Sequence, residues 1–230
     1  MGQETVKALT AAEGFLVVGQ TSRQDNLTDA IQQSQADVVV DFTVATVAFE
    51  RALTIIEAGA RPVIGTSGIT VEQVEQLKAR CAEKKLGGIV AANFAIGAIL
   101  AMKYAQDCAK YFPNVEIIEL HHNQKVDAPS GTALRAAELI AAVKAKAAVN
   151  PQEKEMVPGA RGGRHHDIPV HSIRLPGLLA HQAVMFGDTG EVVTIRHDAT
   201  NRTAYMPGVC LACRKVMALD HLVYGLEHIL

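Results

Sequence analysis

Short apolar runs and helix-like stretches alternate along the first ninety residues. Val38-Val39-Val40, Pro62-Val63-Ile64 and Ile89-Val90-Ala91 are continuous apolar runs bounded by polar or turn-forming residues. That pattern marks strands buried on both faces. Phe15-Leu16-Val17-Val18 predicts a further strand. Between these runs the spacing predicts helices over Gln3–Ala12, Leu27–Gln33 and Val47–Ala58, the last stopped by Gly59. Thr70-Val71-Glu72-Gln73 has the T-x-x-Q form of a capping box, which predicts a helix from there to about Lys85. Strands alternating with helices of this length imply βαβ units and a parallel sheet.

Sheets of this kind bind ligands at the carboxyl ends of their strands. The residues following each run are therefore candidates: Thr21-Ser22-Arg23, Asp41-Phe42-Thr43, Gly65-Thr66-Ser67-Gly68 and Ala92-Asn93-Phe94. They are mostly small or hydroxyl-bearing and would let a ligand approach the backbone.

The pattern then changes. A helix is predicted over Ala98–Lys110, a strand over Val115–Ile118 and a long helix over Thr132–Ala147, with the Ala-rich stretch Ala141–Val149 favouring helix. Beyond Pro151 the signals are strand-like: Val170–Ile173, Gln182–Met185 and Glu191–Ile195, with Gly187-Asp188-Thr189-Gly190 as a hairpin turn. From Thr203 the chain turns helical and returns to the first domain. This predicts a second, mixed or antiparallel domain.

Composition narrows the function. The 230 residues are 49% hydrophobic and 20% charged, as in a folded globular protein, with a net charge of −2. No basic face or run is visible, which argues against a nucleic-acid partner. No apolar stretch of about 18 residues exists, which argues against a membrane span. The start lacks a signal-peptide layout, and four cysteines in this length do not form a disulfide scaffold; both fit a cytoplasmic location. Cys210 and Cys213 form a C-x-x-C in a helical segment and read as ordinary helix residues, having neither a thioredoxin-like context nor a second ligand pair. His165-His166-Asp167 and His171 read as a loop followed by a strand carrying surface histidines, so no metal is expected. Arg161-Gly162-Gly163-Arg164 could touch an acidic substrate.

The richest chemistry lies in His121-His122-Asn123-Gln124-Lys125-Val126-Asp127-Ala128-Pro129-Ser130-Gly131-Thr132-Ala133. This loop joins a strand to a helix. Ser130 fits an N-cap, and the helix start offers free N–H groups and partial positive charge to an anion. Gly131 would let a carboxylate come close, Lys125 adds a full charge, and histidine can act as an acid near neutral pH. Adjacent His121 and His122 on an extended segment point apart, which argues against a zinc pair.

This run resembles the signature of the dihydrodipicolinate reductases. Asp41-Phe42-Thr43, Ile64-Gly65-Thr66-Ser67-Gly68, Ala91-Ala92-Asn93-Phe94-Ala95-Ile96-Gly97 and Asn201-Arg202-Thr203-Ala204-Tyr205 resemble further landmarks of that family in the same order. The resemblance implies an α/β fold with a Rossmann-like parallel sheet (residues 1–94 and 202–230) and a second α+β substrate and oligomerisation domain containing a mixed sheet (95–201). It implies NADPH- or NADH-dependent reduction of 4-hydroxy-tetrahydrodipicolinate, a small dicarboxylate, in lysine biosynthesis, by a homotetramer. His121 would donate the proton and Lys125 would assist. His122, Ser130, Gly131 and Thr132 would hold the substrate. Met1, Phe42, Thr43, Gly65, Thr66, Ser67, Ala91, Ala92, Asn93, Phe94, Arg202 and Tyr205 would line the dinucleotide.

The family begins with a strand leading into a G-x-x-G-x-M-G loop, of which Met1-Gly2 resembles only the last two residues. The expectation is that the first strand and earlier glycines are missing, through an internal methionine taken as the start or a truncated gene, leaving two sheet edges unpaired. Ser22 and Arg23 would suit the 2′-phosphate of NADP. Two alternatives stand beside the reductase: an inactive remnant that only binds a ligand or partner, and another two-domain nicotinamide oxidoreductase.

Overall fold

In the computed structural model, which describes residues 1–145, 152 and 154–230, the two patterns become two units. Met1–Ile96 with Arg202–Leu230 form the first, and Gly97–Asn201 the second. In chain order the first unit contributes α1 (Gly2–Ala11), α2 (Leu27–Ser34), β1 (Val38–Asp41), α3 (Ala45–Glu57), β2 (Arg61–Ile64), α4 (Val71–Lys84) and β3 (Gly88–Val90). The second is built from α5 (Ile96–Cys108), β4 (Asn114–His121), α6 (Gly131–Ala141), β5 (Gly163–His165), β6 (Ile168–Arg174), β7 (Ala180–Asp188) and β8 (Glu191–Ala199). A 3-10 turn (Arg202–Tyr205), α7 (Met206–Lys215) and β9 (Leu222–Tyr224) complete the first.

The first unit holds a parallel sheet in the order β1-β2-β3-β9. Val63, Ile64, Ile89 and Val90 are fully or almost fully buried, as continuous apolar runs require. Ile55, Ile56, Leu77 and Cys81 from α3 and α4 join Ile64 and Val90 in one core cluster. The capping box read from Thr70 and Gln73 starts α4, with both reciprocal hydrogen bonds present.

Two expectations for this unit need correction. Val38–Val40 is only half-buried, because among the described residues β1 has β2 on one side and no strand on the other. Phe15–Val18 is extended but pairs with no strand among the described residues, and Leu16 is 84% exposed. An apolar run becomes a strand only when a neighbour supplies the ladder, and none of the four strands does so here. Phe15 instead lies under the Arg214 guanidinium at 4.6 Å, while Arg214 donates to the Glu13 carbonyl at 3.0 Å.

The second unit holds a mixed sheet, β5-β6-β4-β7-β8, in which only β4 and β6 run parallel. The hairpin between β7 and β8 turns at Thr189-Gly190, with Gly190 at φ +85°. The helix α6 stops at Ala141, short of the expected Ala147; residues 142–145 are not helical, and 146–147 lie outside the described residues. Its buried face, Ala133, Ala136, Ala137 and Ile140, ends there. Helix propensity alone does not carry a chain past the packing that stabilises it. The three-residue strands β5 and β9 are too short to show an alternation in the sequence.

Helix α7 lies close to the turn after β3. A Cβ at Gly208 would stand 1.9 Å from the Phe94 carbonyl oxygen, a backbone atom that cannot step aside. Helix propensity favours Ala over Gly by about 1 kcal/mol, but overpacking of this kind costs ~1–3 kcal/mol. Gly208→Ala is expected to lower the denaturation midpoint; an unchanged or higher midpoint would refute the close approach.

Candidate active site

In the first unit the ends of β1 and β2 open onto a cleft of about 290 Å³ lined by Met1, Phe42, Thr43, Val44, Ala45, Gly65, Thr66 and Ser67. Six of these eight are residues singled out from the sequence. The cleft is organised by Asp41, the last residue of β1, whose side chain is almost fully buried. Its carboxylate accepts hydrogen bonds from the Thr43 backbone (2.9 Å), the Thr43 hydroxyl (2.6 Å) and the Thr66 hydroxyl (3.2 Å), and it pairs with Arg51 at 2.6 Å. Burial pushes its pKa up, but Thr43 and Arg51 outweigh burial and hold it below the usual aspartate value. Gly65 lies so close to the Phe42 ring that a Cβ there would stand 2.0 Å from it.

Of the other candidates for the dinucleotide, Phe94 is buried and packs its ring edge-on against Phe42 at 5.6 Å, so it backs the cleft wall rather than lining it. Asn93 accepts the Ala95 N–H at 2.8 Å, shaping the turn after β3. Ala91 donates its N–H to Ile64 at 2.9 Å. Arg23, Arg202 and Tyr205 are not among the cleft's lining residues. The Ser22 N–H near Arg23 is taken by the Asp25 carboxylate at 2.6 Å, which a 2′-phosphate would have to displace.

The second unit assembles the histidine loop. Alternation along β4 places Val115, Ile117, Glu119 and His121 in one row, the first three buried. Glu119 has no solvent exposure, so its charge must be met internally. Arg174, beside His121 in the parallel pairing of β4 and β6, donates to both Glu119 oxygens at 2.7 and 2.8 Å. Ser130 donates its backbone N–H to Oε1 at 3.2 Å, and His121 Nδ1 lies 2.5 Å from Oε2. Arg174 also donates to the Asp127 carbonyl at 2.8 Å, which holds the loop to the sheet. Burial raises the Glu119 pKa, but the bonds from Arg174, Ser172 and His121 win and keep it ionised.

The expected N-cap is present: Ser130 Oγ accepts the Ala133 N–H at 3.2 Å. A Cβ at Gly131 would meet nothing within 4 Å, so the space before the helix start is open to a ligand. Lys125 is held by both oxygens of Asp127 at 2.7 and 2.8 Å. His122 is half-buried, and its carbonyl accepts the Lys125 N–H at 3.1 Å. Burial lowers the His121 pKa, and Lys125 and Arg174 add to that, against the opposing pull of Glu119. Glu119 and Arg174 are organising residues that the sequence reading did not single out. A carboxylate following Val115 and Ile117 in the alternating row was the available signal for Glu119, whereas nothing local marks Arg174.

Three further sequence readings meet the structure here. Arg161 is paired with Glu116, which also binds His171 Nε2 at 2.8 Å, so its guanidinium is engaged. Cys210 and Cys213 are buried in α7; burial raises both thiols, Cys213 to about 12, which leaves them unreactive. His166 and Asp167 form the turn before β6, the strand that carries His171, as expected, whereas His165 ends β5 rather than lying in the loop.

The chain is similar to known proteins over nearly its whole length. The family described as "Dihydrodipicolinate reductase, N-terminus" matches residues 1–94, and "Dihydrodipicolinate reductase, C-terminus" matches residues 97–230. The 4-hydroxy-tetrahydrodipicolinate reductases of Legionella pneumophila (strain Corby) and Coxiella burnetii (strain RSA 493 / Nine Mile phase I) are 54% and 52% identical, each over all of this chain and 95% of the relative. The solved structure of a dipicolinate-bound dihydrodipicolinate reductase from Paenisporosarcina sp. TG-14 has a TM-score of 0.89 and 43% identity, covering 100% of this chain and 95% of that one. GenD2 from gentamicin A biosynthesis, in complex with NAD, shares the fold at a TM-score of 0.62 and 15% identity, over 94% and 82% of the two chains. The chain belongs to the dihydrodipicolinate reductase family.

Proposed function

We propose that the chain reduces 4-hydroxy-tetrahydrodipicolinate to tetrahydrodipicolinate with NADPH or NADH, in the diaminopimelate route to lysine. The observation that carries this reading is the Glu119-held His121 in the same loop as the open helix start at Ser130-Gly131-Thr132. One group can deliver a proton and the other can hold a carboxylate. Assembly as a homotetramer through the mixed sheet belongs to the same reading.

The first unit suits a dinucleotide. Thr43, Gly65, Thr66 and Ser67 present small side chains, hydroxyls and backbone beside the Phe42 ring at the ends of parallel strands, and Met1 lines the same cleft. Ala91, Ala92, Asn93 and Phe94 shape the next strand end, and Arg202 and Tyr205 are assigned to the same cofactor. When bound, the reduced nicotinamide supplies the hydride.

The second unit handles charge and the proton. The free amides at the start of α6 would take one substrate carboxylate, with His122, Ser130, Gly131 and Thr132 around it. Lys125, steadied by Asp127, would draw the second negative charge and assist protonation. Because Glu119 occupies Nδ1 of His121, the proton would leave from Nε2.

The test is substrate-dependent oxidation of NADPH and then NADH by this chain, with substrate generated in situ by the preceding enzyme. Turnover is expected; its absence from folded protein would overturn the reading in favour of a chain that only binds. His121→Gln should reduce kcat about 10²–10⁴-fold, the usual range for a general acid, and Lys125→Ala should also reduce it. Rates near the parent in both variants would remove these roles.

The His121 environment fixes the sign of the pH dependence. Its pKa is lowered in the free protein, so kcat/KM should fall as pH rises past a point below about 6.5. A bound dianion favours the imidazolium, so the corresponding fall in kcat should lie at higher pH. Coincident profiles would contradict an anion held beside His121.

Gly65→Ala separates the two units. Its Cβ would drive Phe42 out of place at a cost of ~1–3 kcal/mol, so dinucleotide affinity should fall roughly 10-fold or more. Dipicolinate binding should be unchanged. Titration with each ligand measures both, and an unchanged dinucleotide affinity would argue against this cleft.

A further inference from the structure

The second unit carries another set of donor atoms on residues the reductase chemistry does not use. Glu138 lies on α6, and His165 and His166 lie at the end of the β5–β6 hairpin, a strand that packs against α6. Ring nitrogens of the two histidines and a carboxylate oxygen of Glu138 all lie within 4.8 Å of one another. We propose that Glu138, His165 and His166 form a binding site for a divalent transition metal of the zinc class.

Geometry carries the proposal. His165 Nε2 is shielded from solvent and has no hydrogen-bond partner among the described residues. It faces Glu138 Oε1 at 3.6 Å, beyond hydrogen-bond range. The other oxygen of Glu138 accepts from Arg135 at 3.2 Å, which turns Oε1 toward the imidazoles. The two rings stand edge to face, 4.5 Å between centroids, so both can offer a nitrogen to one point.

The turn adds a second observation. The hairpin pairs His165 with Ile168, leaving His166 and Asp167 as a two-residue loop. Both have positive φ, 49° and 64°. Such turns favour Asn-Gly, and a histidine in the left-handed region is held there at some cost in local stability. A metal would offset that cost by tying the turn to α6.

Two imidazoles and a carboxylate are the donor set of zinc-class sites, with water completing a tetrahedron. Magnesium and calcium prefer all-oxygen shells and fit it poorly. Tetrahedral zinc with bonds near 2.1 Å brings its ligands to roughly 3.4 Å apart, so the three side chains must draw in slightly, which rotamer adjustment on a turn and a helix surface allows.

The test uses the full chain without an affinity tag, stripped of metal by chelation. Co²⁺ serves as the visible probe and Zn²⁺ as its competitor. One equivalent of Co²⁺ is expected to give tetrahedral ligand-field bands that Zn²⁺ abolishes, and Zn²⁺ should raise the thermal midpoint. Loss of an outer-shell partner alone costs about 10–100-fold in affinity, so His166→Asn and Glu138→Ala should each weaken binding by at least ~10-fold. His166→Asn suits the turn, so its stability without metal should be equal or higher, which separates loss of a ligand from misfolding. Failure of the parent to bind one equivalent overturns the proposal, as does parent-like affinity in either variant. Reductase turnover is a separate readout and does not depend on this site.

Discussion

A carboxylate without solvent contact, Glu119, stands where the inward row of β4 would otherwise place a third aliphatic residue after Val115 and Ile117. Leaving it unpaired there would cost several kcal/mol, so the surrounding chain is constrained to supply donors. The donors come from different parts of the chain: Arg174 on β6, the Ser130 amide at the start of α6, and His121 two residues along the same strand. Meeting one buried charge therefore fixes the strand pairing, the entry angle of the helix and the orientation of the imidazole together. The histidine loop can be exposed and polar because its two ends are fixed to this point.

The first unit uses the same device. Asp41, nearly as buried, ends β1 and gathers Thr43, Thr66 and Arg51 around its two oxygens. In each unit a buried carboxylate at or near the end of a strand organises the loop that follows that strand. The difference lies in the partners. Two threonine hydroxyls and a guanidinium surround Asp41, whereas Glu119 is met by a guanidinium, a backbone amide and an imidazole.

Much of this was legible in the sequence, because it rests on local rules. The T-x-x-Q box located the start of α4, Ser130 located the start of α6, and continuous aliphatic runs located β2 and β3. Phe15–Val18 was misread because an apolar run specifies a strand only together with a partner, which is a property of the sheet and not of the run. The end of α6 was misread because alanines favour a helix without stopping it where packing ends. Arg174 could not be found from the sequence, since its meeting with Glu119 depends on strand register 55 residues away. The cleft residues after β1 and β2 were legible for the opposite reason: position at a strand end alone brings them together.

The pairing of β9 with β3 has a consequence for how the chain is made. Gly88 pairs with Leu222, while all of the second unit lies between them in the sequence. During synthesis, which proceeds from the amino terminus, residues 97–201 emerge as one uninterrupted stretch and can settle first. The parallel sheet must wait with the flank of β3 open until its last strand leaves the ribosome. The first unit, although its earliest elements are made first, is thus the later of the two to mature, and nascent chains halted before residue 222 would hold a finished second unit and an unfinished first.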